Sequence, residues 1–224
     1  HGVCTQFREP KFAAHAYASQ RDLSEGPVLV PVTFWARGER NIGGILPLIV
    51  LTNCEEVEFR YGPSLVKRVG PDRGRFPHLP HPPVVIDHRH FSRDELGSWG
   101  MSWQEGEVRG LAGGRVVAAR RFVPDPLPTT LEVAPDATTL DAATREEMRV
   151  IVRALDQAGN PLPFLSESVH VAVDGPARLL GPAASPLRGG TTGFWLRATG
   201  RPGEVRLRVA CARFAPANLL LRAV

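Results

Sequence analysis

The chain has 224 residues, of which 43% are hydrophobic and 22% are charged, and its net charge at neutral pH is +4. This length allows one large domain or two ordinary ones, each able to bury a core. The basic residues are almost all arginines and are scattered along the chain, whereas a nucleic-acid-binding protein concentrates them on one face. No apolar run approaches the roughly 18 residues that a membrane-spanning helix needs. We therefore expect neither a nucleic-acid partner nor a membrane partner.

The first predicted element is an alanine-rich amphipathic helix over residues 11–20. Pro10 suits the first helical turn, where its missing N–H would have no partner, and Glu9 suits the positive end of the helix. Phe12 and Ala16 fall on one side of this helix. The sequence that follows consists of short strands interrupted by proline and glycine, and the chain opens with His rather than Met. We expect the helix to end a preceding domain and the chain to be a fragment.

A first group of strands follows a polar linker at residues 21–26. The apolar run at 45–52 fits a strand that is buried on both faces. Residues 53–55 are predicted to turn that strand into a second one with a buried face and a solvated face, so that Glu55, Glu56 and Glu58 are surface charges. Adjacent glycines at 113 and 114 predict a tight hairpin. The predicted strands of this group are 28–35, 45–52, 57–61, 66–69, 84–86, 108–112 and 115–121.

A proline-rich segment at 123–128 predicts a stiff linker to a second module. The short strands of this module are separated by turns, which is typical of a β-sandwich. Trp35 and Trp195 lie within strands and are predicted to be core residues. The expected fold class is mainly β, with two sandwich domains after one helix. The predicted strands of the second module are 130–133, 149–154, 169–173, 192–198, 204–210 and 219–223.

A histidine-rich loop is the best candidate for chemistry. Residues 70–83 contain five prolines, and a loop of this length is usually functional or packed against a partner. Imidazole and carboxylate groups are zinc ligands, but an extended proline-rich segment does not make two imidazoles converge as a helix does. Histidines that order the loop through hydrogen bonds are the favoured alternative, so we expect no metal and no cofactor. The residues concerned are His78, His81, Asp87, His88 and His90.

Two tryptophans suggest a sugar contact. Trp99 and Trp103 follow the histidine-rich loop, and flat aromatic rings can stack on sugar rings. Burial in a core or between domains is the favoured alternative, because large aromatic residues dominate ordinary cores. Cys4, Cys54 and Cys211 are odd in number and widely spaced, which predicts free and largely buried thiols rather than disulfides or a zinc ribbon.

Several segments of the chain resemble one family. The sequences HGV, REPK and YASQ, at residues 1–3, 8–11 and 17–20, are similar to the end of the catalytic barrel in family 2 glycoside hydrolases, the β-galactosidase, β-mannosidase and β-glucuronidase group. Residues 46–58 resemble a hairpin of the Ig-like domain that follows this barrel. Residues 150–164 and 169–182 resemble a bacterial Ig-like module of the invasin type.

The resemblance implies three regions. Residues 1–22 would be the last loop and helix of an upstream (β/α)8 barrel, 27–122 an Ig-like β-sandwich, and 129–224 an invasin-like sandwich. The two catalytic glutamates of the family would precede residue 1, so no catalytic residue is expected in this chain. The resemblance further implies a retaining β-glycoside hydrolase, with a β-galactoside as the expected substrate.

The expected role is therefore a non-catalytic one. The chain would support the upstream barrel of the same polypeptide, with the loop at 75–83 reaching the substrate cleft or a subunit contact in a homo-oligomer. His78, His81, Trp99 and Trp103 are the candidate substrate-binding residues, and carbohydrate is the expected ligand of the whole enzyme. A cytoplasmic location is favoured, and secretion stays open. Two alternatives also stay open, a carbohydrate-binding module and a surface or adhesion stalk protein.

Overall fold

A computed structural model describes residues 2–33, 35, 45–96 and 104–224. The chain divides into two compact units, residues 1–125 and 126–224, and the division falls within the proline-rich segment at 123–128. Each unit is formed by two β-sheets that enclose one apolar core, and helix in the described residues is confined to short segments. The expected mainly β fold class is confirmed.

In the part of the first unit that the structure describes, two short α-helices accompany two antiparallel sheets. One sheet has the strand order β1-β2-β5 and the other has the order β4-β3-β6-β7. Within the described residues, its elements are α1 (Phe12–Ala18), β1 (Leu29–Pro31), β2 (Leu48–Thr52), β3 (Glu56–Tyr61), β4 (Leu65–Val69), β5 (Val84–Ile86), α2 (Arg93–Leu96), β6 (Gly106–Ala112) and β7 (Arg115–Phe122).

Trp35 lies at the centre of the first core. It is 2% exposed, its ring stacks on Phe122 with centroids 4.9 Å apart, and it also contacts Phe59 and Tyr61. These three rings belong to β3 and β7 of the four-stranded sheet, so the indole buries a large apolar area against that sheet and stabilises the core. The prediction that Trp35 is a core residue is confirmed.

The chain crosses between the two sheets after β2. Because β2 and β3 belong to different sheets, residues 53–55 form a crossover, and the hairpin predicted there is wrong. The prediction that residues 45–52 are buried on both faces is also wrong, because Leu48 and Val50 are buried while Ile49 is 38% exposed. A run of apolar residues does not by itself indicate whether one or both faces of a strand are buried.

The predicted short-range elements are confirmed. Strand β3 pairs with β4 across the turn at Gly62, and β6 pairs with β7 across Gly113 and Gly114, which have φ values of 54° and 72°. These left-handed conformations are the ones that a tight hairpin turn demands and glycine supplies. The predicted helix at 11–20 is α1, followed by a turn at residues 19–20.

The second unit is a sandwich of a four-stranded and a five-stranded sheet. Their strand orders are β12-β14-β10-β8 and β13-β11-β15-β16-β9, and neighbours are antiparallel except for the short β16–β9 pair. The strands are β8 (Thr130–Pro135), β9 (Thr139–Leu140), β10 (Glu147–Leu155), β11 (Ser168–Asp174), β12 (Ala177–Leu180), β13 (Ala184–Pro186), β14 (Thr191–Ala198), β15 (Gly203–Cys211) and β16 (Ala217–Ala223).

Trp195 does not belong to the core of this unit. Its neighbours along β14, Phe194 and Leu196, are buried in the core, and because side chains alternate along a strand, Trp195 lies on the outer face. It is half-buried there and stands opposite Arg149 in the sheet register. The prediction that Trp195 is a core residue is therefore wrong. Residues 194–196 are all apolar, but alternation along the strand turns the middle one outward.

Candidate functional site

The histidine-rich loop brings His78 and His81 to different environments. His78 is exposed, whereas His81 is half-buried and is held through its main chain. The Gln20 amide donates a hydrogen bond to the His81 carbonyl over 2.8 Å, and the His81 N–H donates to Gln20 Oε1 over 3.2 Å. The loop is thus attached to the segment after α1, and this attachment uses no imidazole.

The next two histidines adjoin a turn that Asp87 organises. Asp87 accepts three side-chain hydrogen bonds from the Arg89 guanidinium and one from the Arg89 N–H over 3.1 Å, and these bonds lower the pKa of Asp87 to about 2. The Asp87 N–H in turn donates to Nδ1 of His90 over 3.1 Å. His90 therefore serves as a capping group of the turn at residues 88–90, while His88 is exposed.

The described part of the chain contains no cluster of three or more His, Cys, Asp or Glu residues that could hold a metal ion. The histidines of the sequence motif are engaged in loop and turn hydrogen bonds or exposed, as the preceding distances show. Trp99 and Trp103, the two candidate sugar-stacking residues, lie outside the described residues. All three cysteines are free, with Cys54 and Cys211 buried and Cys4 partly exposed.

The N-terminal segment is a compact element in its own right, and we call residues 2–20 the arm. Cys4 and Pro10 form an antiparallel bridge, and the Lys11 N–H donates to the Val3 carbonyl over 2.9 Å. Helix α1 follows this closed loop directly. None of its residues is buried, and none contributes to the apolar core of the first unit. The arm is therefore ordered locally without being part of the sandwich interior.

Two sides of α1 differ in their surroundings. Partial burial and the nearby charge of Arg120 on β7 lower the pKa of His15. Ala13, Ala16 and Tyr17 are exposed, and Tyr17 is 74% exposed. One side of the helix thus approaches the sheet, and a side bearing an aromatic ring and two small apolar residues is open.

Glu58 is the most heavily paired carboxylate of the first unit. It is 6% exposed, and its oxygens lie 3.0 Å from Arg68, 3.3 Å from Arg60 and 3.6 Å from Arg109. The prediction that Glu58 is a solvated surface charge is wrong, because these arginines on β3 and both neighbouring strands converge on it. A carboxylate neutralised in this way anchors the face of the sheet and is unsuited to act as a nucleophile or an acid/base.

The same sheet face carries a polar groove of about 310 Å³. Its charged groups are paired with one another, since Arg109 lies 2.8 Å from Glu107 and Arg121 bonds to Glu105. Opposite charges that alternate across the register of β3, β6 and β7 stabilise the sheet through cross-strand pairs. This pairing accounts for the groove as part of the fold.

Comparison with known proteins identifies the family. Residues 131–219 match the domain described as glycoside hydrolase family 2 C-terminal domain 5. The chain is 61% identical over 192 residues to a β-galactosidase of Rhizobium meliloti, covering 86% of this chain and 25% of that protein. It is 43% identical over 121 residues to a β-galactosidase of Rhizobium radiobacter, covering 54% of this chain and 88% of that protein. The chain belongs to glycoside hydrolase family 2.

Membership of the family accords with the resemblance of the N-terminal and sandwich segments. The chain spans about a quarter of the length of the R. meliloti enzyme, and the matched domain is a C-terminal one. A β-glycosidase from Bacteroides vulgatus has the same fold, with a TM-score of 0.71 and 20% identity over 99% of this chain and 28% of that one. Neither helix in the described ranges is long and apolar enough to cross a membrane.

Gln20 is a contact residue that the sequence analysis missed. It follows α1 as an ordinary polar residue, and only the fold brings it to His81, which is 61 positions away. The usable signal was the length and stiffness of the loop at 70–83, which predicted a packing partner without naming it.

Proposed function

We propose that this chain is the non-catalytic C-terminal part of a retaining β-galactosidase, and that its arm docks on a catalytic barrel that precedes residue 1. The observation that carries the proposal is α1. This helix is ordered beside the sandwich, buries none of its residues in it, and leaves an apolar side with Tyr17 open. A helix stripe of that kind is stabilised when a second structure covers it.

The similar proteins support the proposed type of enzyme and its substrate class. The relatives from R. meliloti and R. radiobacter are named β-galactosidases, and the matched domain is a C-terminal domain of glycoside hydrolases. We propose an Ig-like sandwich at residues 27–122 and an invasin-like sandwich at 129–224, which extend the enzyme beyond its barrel and provide contacts between subunits. The catalytic glutamates belong to the barrel, and we assign no catalytic role to any residue of this chain.

The docking function can be tested by complementation. The R. meliloti β-galactosidase is truncated to remove the part that matches this chain, and the purified chain is added while hydrolysis of a chromogenic β-galactoside is followed. We expect activity that rises and saturates with the concentration of the chain. A Tyr17→Asp variant should need about tenfold more chain for half-maximal activity, because a charge in a buried aromatic position weakens an interface.

The matched control is Leu220→Asp, which places the same charge at a position that is 58% exposed in the second unit. This control should complement as well as the unmodified chain does. Saturating activity that is equally sensitive to both variants would refute docking through the arm, and an absence of any activity gain would refute the supporting function itself.

We further propose that the imidazoles of His78 and His81 contribute to the substrate cleft, together with Trp99 and Trp103. The His78→Ala, His81→Ala double variant leaves the main-chain bonds between residue 81 and Gln20 in place. In the complemented enzyme it should therefore raise KM at unchanged half-saturation by the chain. Unaltered KM would contradict the role of the histidines. Calorimetric binding of lactose to the chain alone would instead favour a carbohydrate-binding module.

A further inference from the structure

Polar contacts fasten the segment that joins the arm to the first sandwich. The apolar core of that unit begins at Leu29, and α1 adds no side chain to it. Between α1 and that core, the sequence predicts a polar linker at residues 21–26. A flexible linker would let the arm take many orientations. Binding of a partner would then fix one of them at a cost in conformational entropy.

Asn53 contacts this segment at three points. Its Oδ1 accepts a hydrogen bond from the Val28 N–H over 2.7 Å, while its Nδ2 donates to the carbonyls of Gly26 over 3.0 Å and Arg21 over 3.3 Å. Only one orientation of the amide satisfies one donor and two acceptors, so these partners assign its oxygen and nitrogen. Asn53 is 2% exposed, and a buried amide without such partners would be costly.

Thr52 extends the attachment into the sheet. Its hydroxyl donates to the Val28 carbonyl over 2.7 Å and accepts a bond from the Cys54 N–H over 3.0 Å. Thr52 also stands opposite Leu29 in the register of β1 and β2. The crossover at residues 53–55 is therefore fastened to the end of the segment on which the arm depends, and Thr52 is 1% exposed.

Gln20 supplies the second attachment, eight residues before Val28. Its side-chain amide bonds to both the N–H and the carbonyl of His81, and its Nε2 also lies 3.1 Å from the hydroxyl of the buried Ser19. Two separate attachments on different loops prevent rotation that a single one would allow. These polar side chains therefore fasten the chain at both ends of the segment that joins α1 to β1.

We propose that Asn53, Thr52 and Gln20 form a rigid polar joint that fixes the direction of the arm and so presents its open side, with Tyr17, to the partner. Asn53 and Gln20 are positioning residues that touch neither the partner nor a substrate. The inference rests on the proposed function for the identity of the partner, but the rigidity of the joint is a property of this chain alone. Preorganisation of this kind strengthens association because the ordering cost is already met in the free chain.

The test compares Gln20→Ala and Asn53→Ala with Gln157→Ala in the intact chain. Gln157 is the matched control, since its side-chain oxygen also accepts a main-chain bond, from Leu127 in the second unit. We expect order parameters of α1 near the rigid value of about 0.85 in the unmodified chain and the control, and below about 0.6 in Gln20→Ala. Loss of the two bonds to His81 should speed amide exchange at Ser19 about twenty-five-fold, since each neutral bond is worth about fivefold.

The pKa of His15 reports independently on the position of the arm. Partial burial and Arg120 lower this pKa in the folded chain, so it should rise toward its ordinary value when Gln20→Ala frees the helix. Amides of the core strands β3 and β6 should keep their protection, which separates loosening of the joint from unfolding of the sandwich. Asn53 is buried in the sandwich, so Gln20→Ala remains decisive if Asn53→Ala fails to fold.

Unchanged order parameters and an unchanged pKa of His15 in Gln20→Ala would overturn the inference, as would an unmodified chain whose α1 is already mobile. In complementation, a loosened arm should raise the half-saturating concentration of the chain about tenfold and leave KM unaltered. If the loosened arm docks as well as the original one, the joint does not serve docking and the inference fails. A complete lack of complementation by the unmodified chain would refute the proposed function, while the order parameters still decide whether the joint is rigid.

Discussion

Alkaline titration of Tyr61 offers a sharp test of how the first sandwich is packed. Tyr61 is 5% exposed, and burial raises its pKa to about 12. The unfolded chain releases this proton near pH 10, so between pH 10 and 12 the folded state binds more protons than the unfolded state. The contribution of protonated Tyr61 to the free energy of unfolding is therefore fully present below pH 10 and is lost as the pH rises through 12. The loss amounts to about 1.4 kcal/mol at pH 11 and about 2.7 kcal/mol once both states have ionised.

The chain is well suited to this measurement because it contains only two tyrosines. In a Tyr17→Phe variant, absorbance at the phenolate wavelength reports on Tyr61 alone and should rise with a midpoint near pH 12. Urea unfolding at pH 9 and pH 11 should show the expected loss in Tyr17→Phe and a smaller loss in Tyr61→Phe. A phenolate signal in Tyr17→Phe that is complete by pH 10.5, with the sandwich still folded, would refute the burial that we describe.

Two substitution pairs test other parts of the fold. Glu58→Gln should lower the free energy of unfolding by about 2 kcal/mol, because it weakens charge-assisted hydrogen bonds from Arg60 and Arg68 and the ion pair with Arg109. Glu56→Gln, on the same strand and exposed, should change it by less than about 0.5 kcal/mol. Equal effects in urea titrations would contradict the cluster. Gly190→Ala would place a Cβ 2.4 Å from the Leu162 carbonyl oxygen, whereas Gly189→Ala meets open space, and both glycines have positive φ. We expect Gly190→Ala to cost about 2 kcal/mol more than Gly189→Ala, and thermal melts with equal midpoints would disprove the close approach.

Short-range features of the fold were readable from the sequence. The helix at residues 11–20 follows from Pro10 and an alanine-rich run, and the hairpin at Gly113 and Gly114 follows from two residues that accept positive φ. In both cases the signal and the structure lie within a few residues of each other. Three short strands, at 139–140, 177–180 and 184–186, were missed because they carry too few residues for a period to show.

Features that depend on distant neighbours were misread. Residues 46–58 have the sequence pattern of a hairpin, yet the chain crosses to the opposite sheet there. The reason is that β2 and β3 pair with other strands and not with each other. Glu58 was predicted to be a solvated charge, because the local sequence does not indicate that arginines on neighbouring strands pair with it. The candidate site shows the same limit, because the contact between Gln20 and His81 joins residues that no local pattern relates.

By itself, the sequence determined the class of fold, the helix, most strands and the family resemblance, because these follow from local propensity, periodicity and motif order. Only the tertiary structure decided that both ends of the predicted linker at 21–26 are hydrogen-bonded to Asn53, that Trp195 faces outward and that Glu58 is buried. Hydrogen bonding and burial at these positions depend on which strands become neighbours. That choice is made by the whole core and not by any single segment.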